Sequence, residues 1–166
     1  DFIYPISFNA SYKRFDISMF FNAPQGNDIF DATRYYTDFG AFDGAVSTRL
    51  LDAWSPTNTD SHVPAPYRNP AALELQANSY YIQDGSYFRM KNLQIGYNFP
   101  VEKWFKHKEV SNLRLYVSGT NLFTITSYSG LDPEVTQFSS TFSAPGVDLG
   151  VYPASRQFIV GFNVTF

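Results

Sequence analysis

The 166-residue chain is 44% hydrophobic and 16% charged, with a net charge of -3 and no basic run, which argues against a nucleic-acid footprint. Zero cysteines remove disulfides and thiolate metal sites, and no uninterrupted apolar stretch approaches the roughly 18 residues of a membrane-spanning helix. The aromatic share of 19%, with 17 Phe and 12 Tyr, points to β structure, because aromatic side chains fit pleated surfaces.

From the N-terminus, Phe2, Tyr4, Ile6, Phe8 and Ala10 alternate with Ser7, Asn9 and Ser11, interrupted by Ile3 and Pro5. This period of two predicts a strand near residues 2–11. After a tight turn from Tyr12 to Arg14, Phe15, Ile17, Met19, Phe21 and Ala23 alternate with Asp16, Ser18 and Asn22, with Phe20 out of pattern, and predict a strand near 15–24. A long connection near 25–85 follows. Leu93, Ile95, Tyr97 and Phe99 then alternate with Asn92, Gln94, Gly96 and Asn98, giving a strand near 86–99 that ends at Pro100, which cannot donate to a ladder.

Beyond a short link, Leu113, Leu115, Val117 and Phe123 alternate with Arg114, Tyr116, Ser118, Thr120 and Thr124 near 112–124, with Gly119 and Asn121 interrupting the apolar side. A second long connection near 125–155 leads to Phe158, Val160, Phe162, Val164 and Phe166. These face away from Gln157, Gly161, Asn163 and Thr165 in a strand near 156–166, with Ile159 out of pattern.

Strands with one apolar face also build soluble sandwiches, and a sugar-binding β-sandwich is one reading of the aromatic loops. The connections favour another. They run short, long, short, long, as in up-and-down membrane barrels with short periplasmic turns and long extracellular loops. Structureless loops longer than about 15 residues are uncommon unless functional or mobile, and here both would project from one end. Tyr97, Phe99, Trp104 and Phe105 would gather at the periplasmic interface as a girdle. About five strands cannot close a membrane barrel, whose smallest examples have about eight. The other strands must come from elsewhere, and a chain that begins at Asp1 without a signal peptide reads as part of a longer precursor.

The segment Gln83-Asp84-Gly85-Ser86-Tyr87-Phe88-Arg89-Met90-Lys91-Asn92-Leu93, followed by Gly96-Tyr97 and Pro100, resembles the "EDGSFLRLKNLTLGYTLP" region of SusC/RagA-family transporters. Leu113 to Thr124 is similar to that family's "LRVYVSGQNLFT", and Tyr128 to Val135 to its "YSGYDPEV". Tyr152-Pro153 with Arg156, Gly26 to Phe30, and Trp54 to Thr59 agree as well, so the resemblance spans nearly the whole chain.

The resemblance implies the C-terminal strands of a barrel of about 22 antiparallel strands with a plugged lumen. Such a barrel is a TonB-dependent importer of glycans, glycan fragments or peptides in the outer membrane, covered by a SusD-like lipoprotein lid. The expected partners are the rest of the barrel with its plug, that lid, outer-membrane lipid, and TonB through a segment outside this sequence. Gly161, Val164 and Phe166 are spaced like the signal read by the barrel-assembly machinery. A barrel of the same family with a scaffold or assembly role is the alternative.

No catalytic constellation, cofactor motif or metal spacing is evident, so an enzyme is not expected. His62 and His107 would lie at opposite barrel ends. Asp132, Glu134 and Asp148 lack an EF-hand pattern and read as turn-forming loop residues, Asp28 and Asp31 as solvated ones, and Gly85 as a turn. On the barrel reading Asn92, Gln94, Asn98, Arg114, Ser118 and Thr120 face the lumen and plug. Tyr35, Tyr36, Trp54 and Tyr67 in the longest loop would meet a lid, a substrate or the loop's own core.

Overall fold

A computed structural model describes residues 1–39, 44–66, 76–101, 110–135 and 145–166. The chain divides into two compact units. The first, Asp1–Asn27, Gly85–Ser127 and Pro153–Phe166, is an antiparallel sheet of β1 Phe2–Tyr12, β2 Phe15–Gln25, β5 Tyr87–Asn98, β6 Asn112–Thr126 and β8 Gln157–Thr165, neighbours in that order. The chain leaves this sheet after β2 and again after β6, at the same ends of the antiparallel strands.

Registers fix what each face carries, because directly paired residues point the same way. One row holds Phe8, Met19, Leu93, Gly119 and Phe158, the next Ala10, Ile17, Ile95, Val117 and Val160. The two outer strands keep their apolar side chains exposed, to 70% for Phe158 and 72% for Phe162. A sandwich would cover this face with a second sheet. An uncovered apolar face of this extent is instead what lipid-facing strands require.

The rows hold through an irregularity in the middle strands. Over one interval β2 advances from Phe20 to Phe21, β5 from Asn92 to Met90 and β6 from Thr120 to Phe123. The single extra residue in β5, Lys91, flips its alternation, so Phe88 joins the apolar face beside Phe21 and Phe123, with ring centroids 5.2 and 6.3 Å away. Two extra residues in β6 restore the alternation there. One of them, Asn121, takes φ 51°, a left-handed conformation that Asn tolerates. The other, Leu122, folds over Gly119, where a Cβ would lie 2.7 Å from its Cδ2.

The second unit, Asp28–Asp84 and Tyr128–Tyr152, corrects the expectation of structureless loops. Both long connections contribute to a three-stranded sheet in the order β4-β3-β7, with β3 Asp28–Asp31, β4 Ile82–Asp84 and β7 Val147–Asp148. β3 pairs antiparallel with β4 and parallel with β7, so the first connection is tied to the second. A short helix α1, Arg34–Thr37, and single 3-10 turns at Thr48–Asp52 and Ser79–Tyr81 complete its regular structure among the described residues. Ile29, Tyr128 and Val135 form a buried cluster with Val151 against it, and Tyr81 and Phe39 are also buried. Among the described residues no helix is long and apolar enough to cross a membrane, which says nothing about crossing by strands.

Candidate functional site

The polar face of the first unit is the first candidate, and its parts come from the period-two alternation. The six polar residues singled out from the sequence pair off directly, Asn92 with Thr120, Gln94 with Ser118 and Asn98 with Arg114. Asp16 and Ser18 belong to the same face through Gly96 and Gln94. Arg114 Nε donates to Asp16 Oδ1 at 3.0 Å and its Nη2 lies 2.5 Å from Oδ2, a bidentate pair that bridges from β2 to β6.

Gly96 lies beneath that pair. A Cβ there would sit 2.5 Å from both Arg114 Nη2 and Asp16 Oδ1. The Arg114 guanidinium also lies 5.3 Å from the centre of the Tyr116 ring, which covers Gly161 in turn. Farther along the face Asn22 Nδ2 donates to Tyr87 Oη at 3.3 Å, and buried Arg89 donates through Nε to Thr124 Oγ1 at 2.8 Å. Alternation alone carries no cue to Asp16 as Arg114's partner, since that depends on register across three strands.

The second unit carries a different polar system. Asp31 and Asp148, expected in solvated or turn positions, are buried to 1% and 2% exposure, as is Asp38 at 2%; Asp28 remains exposed. Each buried carboxylate is fully engaged, which is what permits it to be there. Asp31 accepts from Thr33 N at 3.1 Å, Arg34 Nε at 3.2 Å and Gln83 Nε2 at 2.7 Å, and from the Thr33 hydroxyl. Asp38 accepts from Arg49 Nε at 3.2 Å, Arg49 Nη2 at 3.0 Å and Tyr80 Oη at 2.6 Å. Asp148 accepts from Tyr128 Oη at 2.7 Å and from the amides of Gly150 and Val151.

Burial, and then the adjacent Asp38 carboxylate, push the Tyr80 phenol up to about 12. Burial and the hydrogen bond to Asp148 push Tyr128 up as well. For Arg49 burial opposes the charge, and the Asp38 carboxylate outweighs it, so its pKa rises. The two phenols thus stay neutral donors and Arg49 stays charged, each against a buried carboxylate. Asp132 caps the amide of Glu134 at 2.9 Å, as a turn-forming Asp does. Among the described residues no three His, Cys, Asp or Glu are placed to hold a metal ion.

Tyr35 stacks on Tyr81 with centroids 4.2 Å apart, inside the unit's own aromatic cluster. Tyr36 and Trp54 are exposed at 44% and 42%. Tyr67, Trp104, Phe105 and His107 lie outside the described residues. Gly161 lies opposite Tyr116, Val164 lies opposite Leu113 on the apolar face, and Phe166 is exposed. Gln83, which its polar type alone does not single out, joins the two connections: it donates to Asp31 and accepts from Ser129 Oγ at 2.7 Å.

A sheet with an uncovered apolar face, an organised polar face and alternating short and long connections is a segment of a transmembrane β-barrel wall. No family model matches the chain. TonB-dependent receptor P3 of Formosa agariphila is 40% identical over all of this chain and 16% of its own length. SusC of Bacteroides thetaiotaomicron is 29% identical over all of this chain and 15% of its own. A structure of the RagAB peptide importer in its closed-closed state superposes with a TM-score of 0.78 at 26% identity, covering 99% of this chain and 17% of that one. The chain is thus similar over its whole length to TonB-dependent receptors of the SusC/RagA kind, and it spans about one sixth of the length of these relatives. Those proteins are named as receptors and importers rather than enzymes.

Proposed function

We propose that the chain is part of the wall of a TonB-dependent nutrient importer in the outer membrane, with its apolar face in lipid and its polar face toward a plugged lumen. The observation that carries this reading is the two-faced sheet, whose apolar rows are exposed and whose opposite face holds the Asp16–Arg114 bridge. Asn92, Gln94, Asn98, Arg114, Ser118 and Thr120 then line the lumen and meet plug, water or cargo. The second unit, built from the two long connections, is extracellular on this reading.

Exposed Tyr36 and Trp54 are its candidate contacts to a SusD-like lipoprotein or to cargo, with Tyr67 as a further one by sequence. Gly161, Val164 and Phe166 serve as the assembly signal. The cargo is an oligosaccharide or a peptide, and opening draws on TonB. No residue is assigned a catalytic role.

The test is uptake of labelled oligosaccharides and peptides by a strain lacking only the full-length protein and by its complemented control. Loss of uptake on deletion, and on collapse of the proton gradient, is expected. Unchanged uptake of every cargo, with outer-membrane complexes falling apart, would replace transport by a scaffold role.

A further inference from the structure

The turn between β1 and β2 combines charge with exposed aromatic surface. Tyr12, Phe15, Tyr97, Leu115 and Phe162 are joined by successive registers and form the last row of the apolar face to which all five strands contribute. Tyr12 and Phe15 are exposed to 71% and 57%. Phe15 and Tyr97 have ring centroids 4.7 Å apart, and Tyr97 and Phe99 meet edge to face at 4.9 Å. Tyr12, Phe15 and Tyr97 line, with Lys13 and Arg14, one open hollow of about 750 Å³.

Two details set this hollow apart from a plain aromatic girdle. Lys13 holds φ 56°, a backbone conformation that Gly or Asn adopts more readily, so a residue chosen for turn shape alone would be one of those. Its ammonium lies 5.2 Å from the centre of the Tyr12 ring, beside the aromatic row. Neither Lys13 nor Arg14 has an ion pair among the described residues, and Asp16 is on the opposite face, occupied by Arg114. Among the described residues the turn therefore presents two cations with no anion paired to them, next to rings suited to the level of lipid headgroups.

We propose that this hollow binds the phosphate of an anionic glycerophospholipid in the periplasmic leaflet. Arg14 and Lys13 take the phosphate, and Tyr12, Phe15 and Tyr97 take the glycerol and upper acyl region. The proposal rests on the barrel reading, which puts the short turns at the periplasmic border.

The test uses the full-length protein in vesicles of phosphatidylcholine carrying a trace of photoreactive phosphatidylglycerol or photoreactive phosphatidylcholine. Cross-links are mapped to residues by mass spectrometry. Residues 12–15 should be labelled by the phosphatidylglycerol probe in excess over the phosphatidylcholine probe, on the order of five-fold per cation. The excess should vanish in Lys13→Gln/Arg14→Gln, with heat-modifiable gel migration showing that this variant is folded. Equal labelling by both probes in the parent, or an excess that survives in the variant, would overturn the proposal and leave the barrel reading intact. Exclusion of both probes from 12–15 while Phe8 and Phe158 are labelled would mean that protein covers the turn, and would also overturn it. No labelling anywhere on the apolar face of the folded protein would sink the barrel reading itself.

Discussion

The carboxylate of Asp16 and the guanidinium of Arg114 meet across an intervening strand, and they do so over Gly96, the residue that leaves room for them. Since a Cβ at Gly96 would meet the far ends of two flexible side chains, Gly96→Ala is expected to displace the pair without unfolding the sheet. The expected cost is about 1 kcal/mol, the scale of a partly exposed ion pair. In an Asp16→Asn background the same substitution should cost less. A double-mutant cycle on the midpoint of heat-modifiable gel migration of the full-length protein measures the coupling, and additive effects would remove Gly96 from the account.

Asn121 supplies a second check. At φ 51° a β-branched residue is disfavoured by roughly 1–2 kcal/mol, so Asn121→Val should lower the yield of assembled barrel. Asn121→Gly should be tolerated, apart from losing the side chain's hydrogen bond to Ser155 O at 3.2 Å. The ratio of folded to unfolded bands in outer-membrane fractions reads both.

In the second unit, Asp38→Ala leaves the Arg49 guanidinium and the Tyr80 hydroxyl without their shared acceptor. A loss of about 2 kcal/mol is expected, confined to that unit. Limited proteolysis of the membrane-embedded protein should show faster cleavage within 28–84 while heat-modifiable migration is unchanged. Equal protease resistance would show that the network does not hold the unit together.

Alkaline pH tests the same network without a mutation. The Tyr80 phenol is raised from 10.0 to about 12, so the neutral form is the one the fold favours. Its contribution is complete below pH 10 and is lost as pH rises toward about 12. Protease sensitivity of the second unit should rise across that window, and Tyr80→Phe should flatten the part of the rise that tracks tyrosinate absorbance.

What was legible in the sequence follows from the range of the interactions. Alternation is local, so the five strands and their faces can be read directly. Met90 and Phe88 could not be placed that way, because the extra residue Lys91 reverses the alternation N-terminal to it. The Asp16–Arg114 pair depends on two registers at once. The second unit was hidden for the same reason: Ile29, Tyr128 and Val135 make one cluster from two distant connections with no period between them. Asp31, Asp38 and Asp148 look like loop carboxylates until their donors are known.

The parallel pairing of β3 with β7 has a consequence for engineering. Phe30 N donates to Gly146 O at 2.8 Å and Ala32 N to Asp148 O at 2.9 Å, so neither connection completes its hydrogen bonding without the other. A chimera that imports only one of them from a relative would bring half of a ladder. Retargeting by graft should therefore exchange residues 28–84 and 128–152 together, as a single cassette.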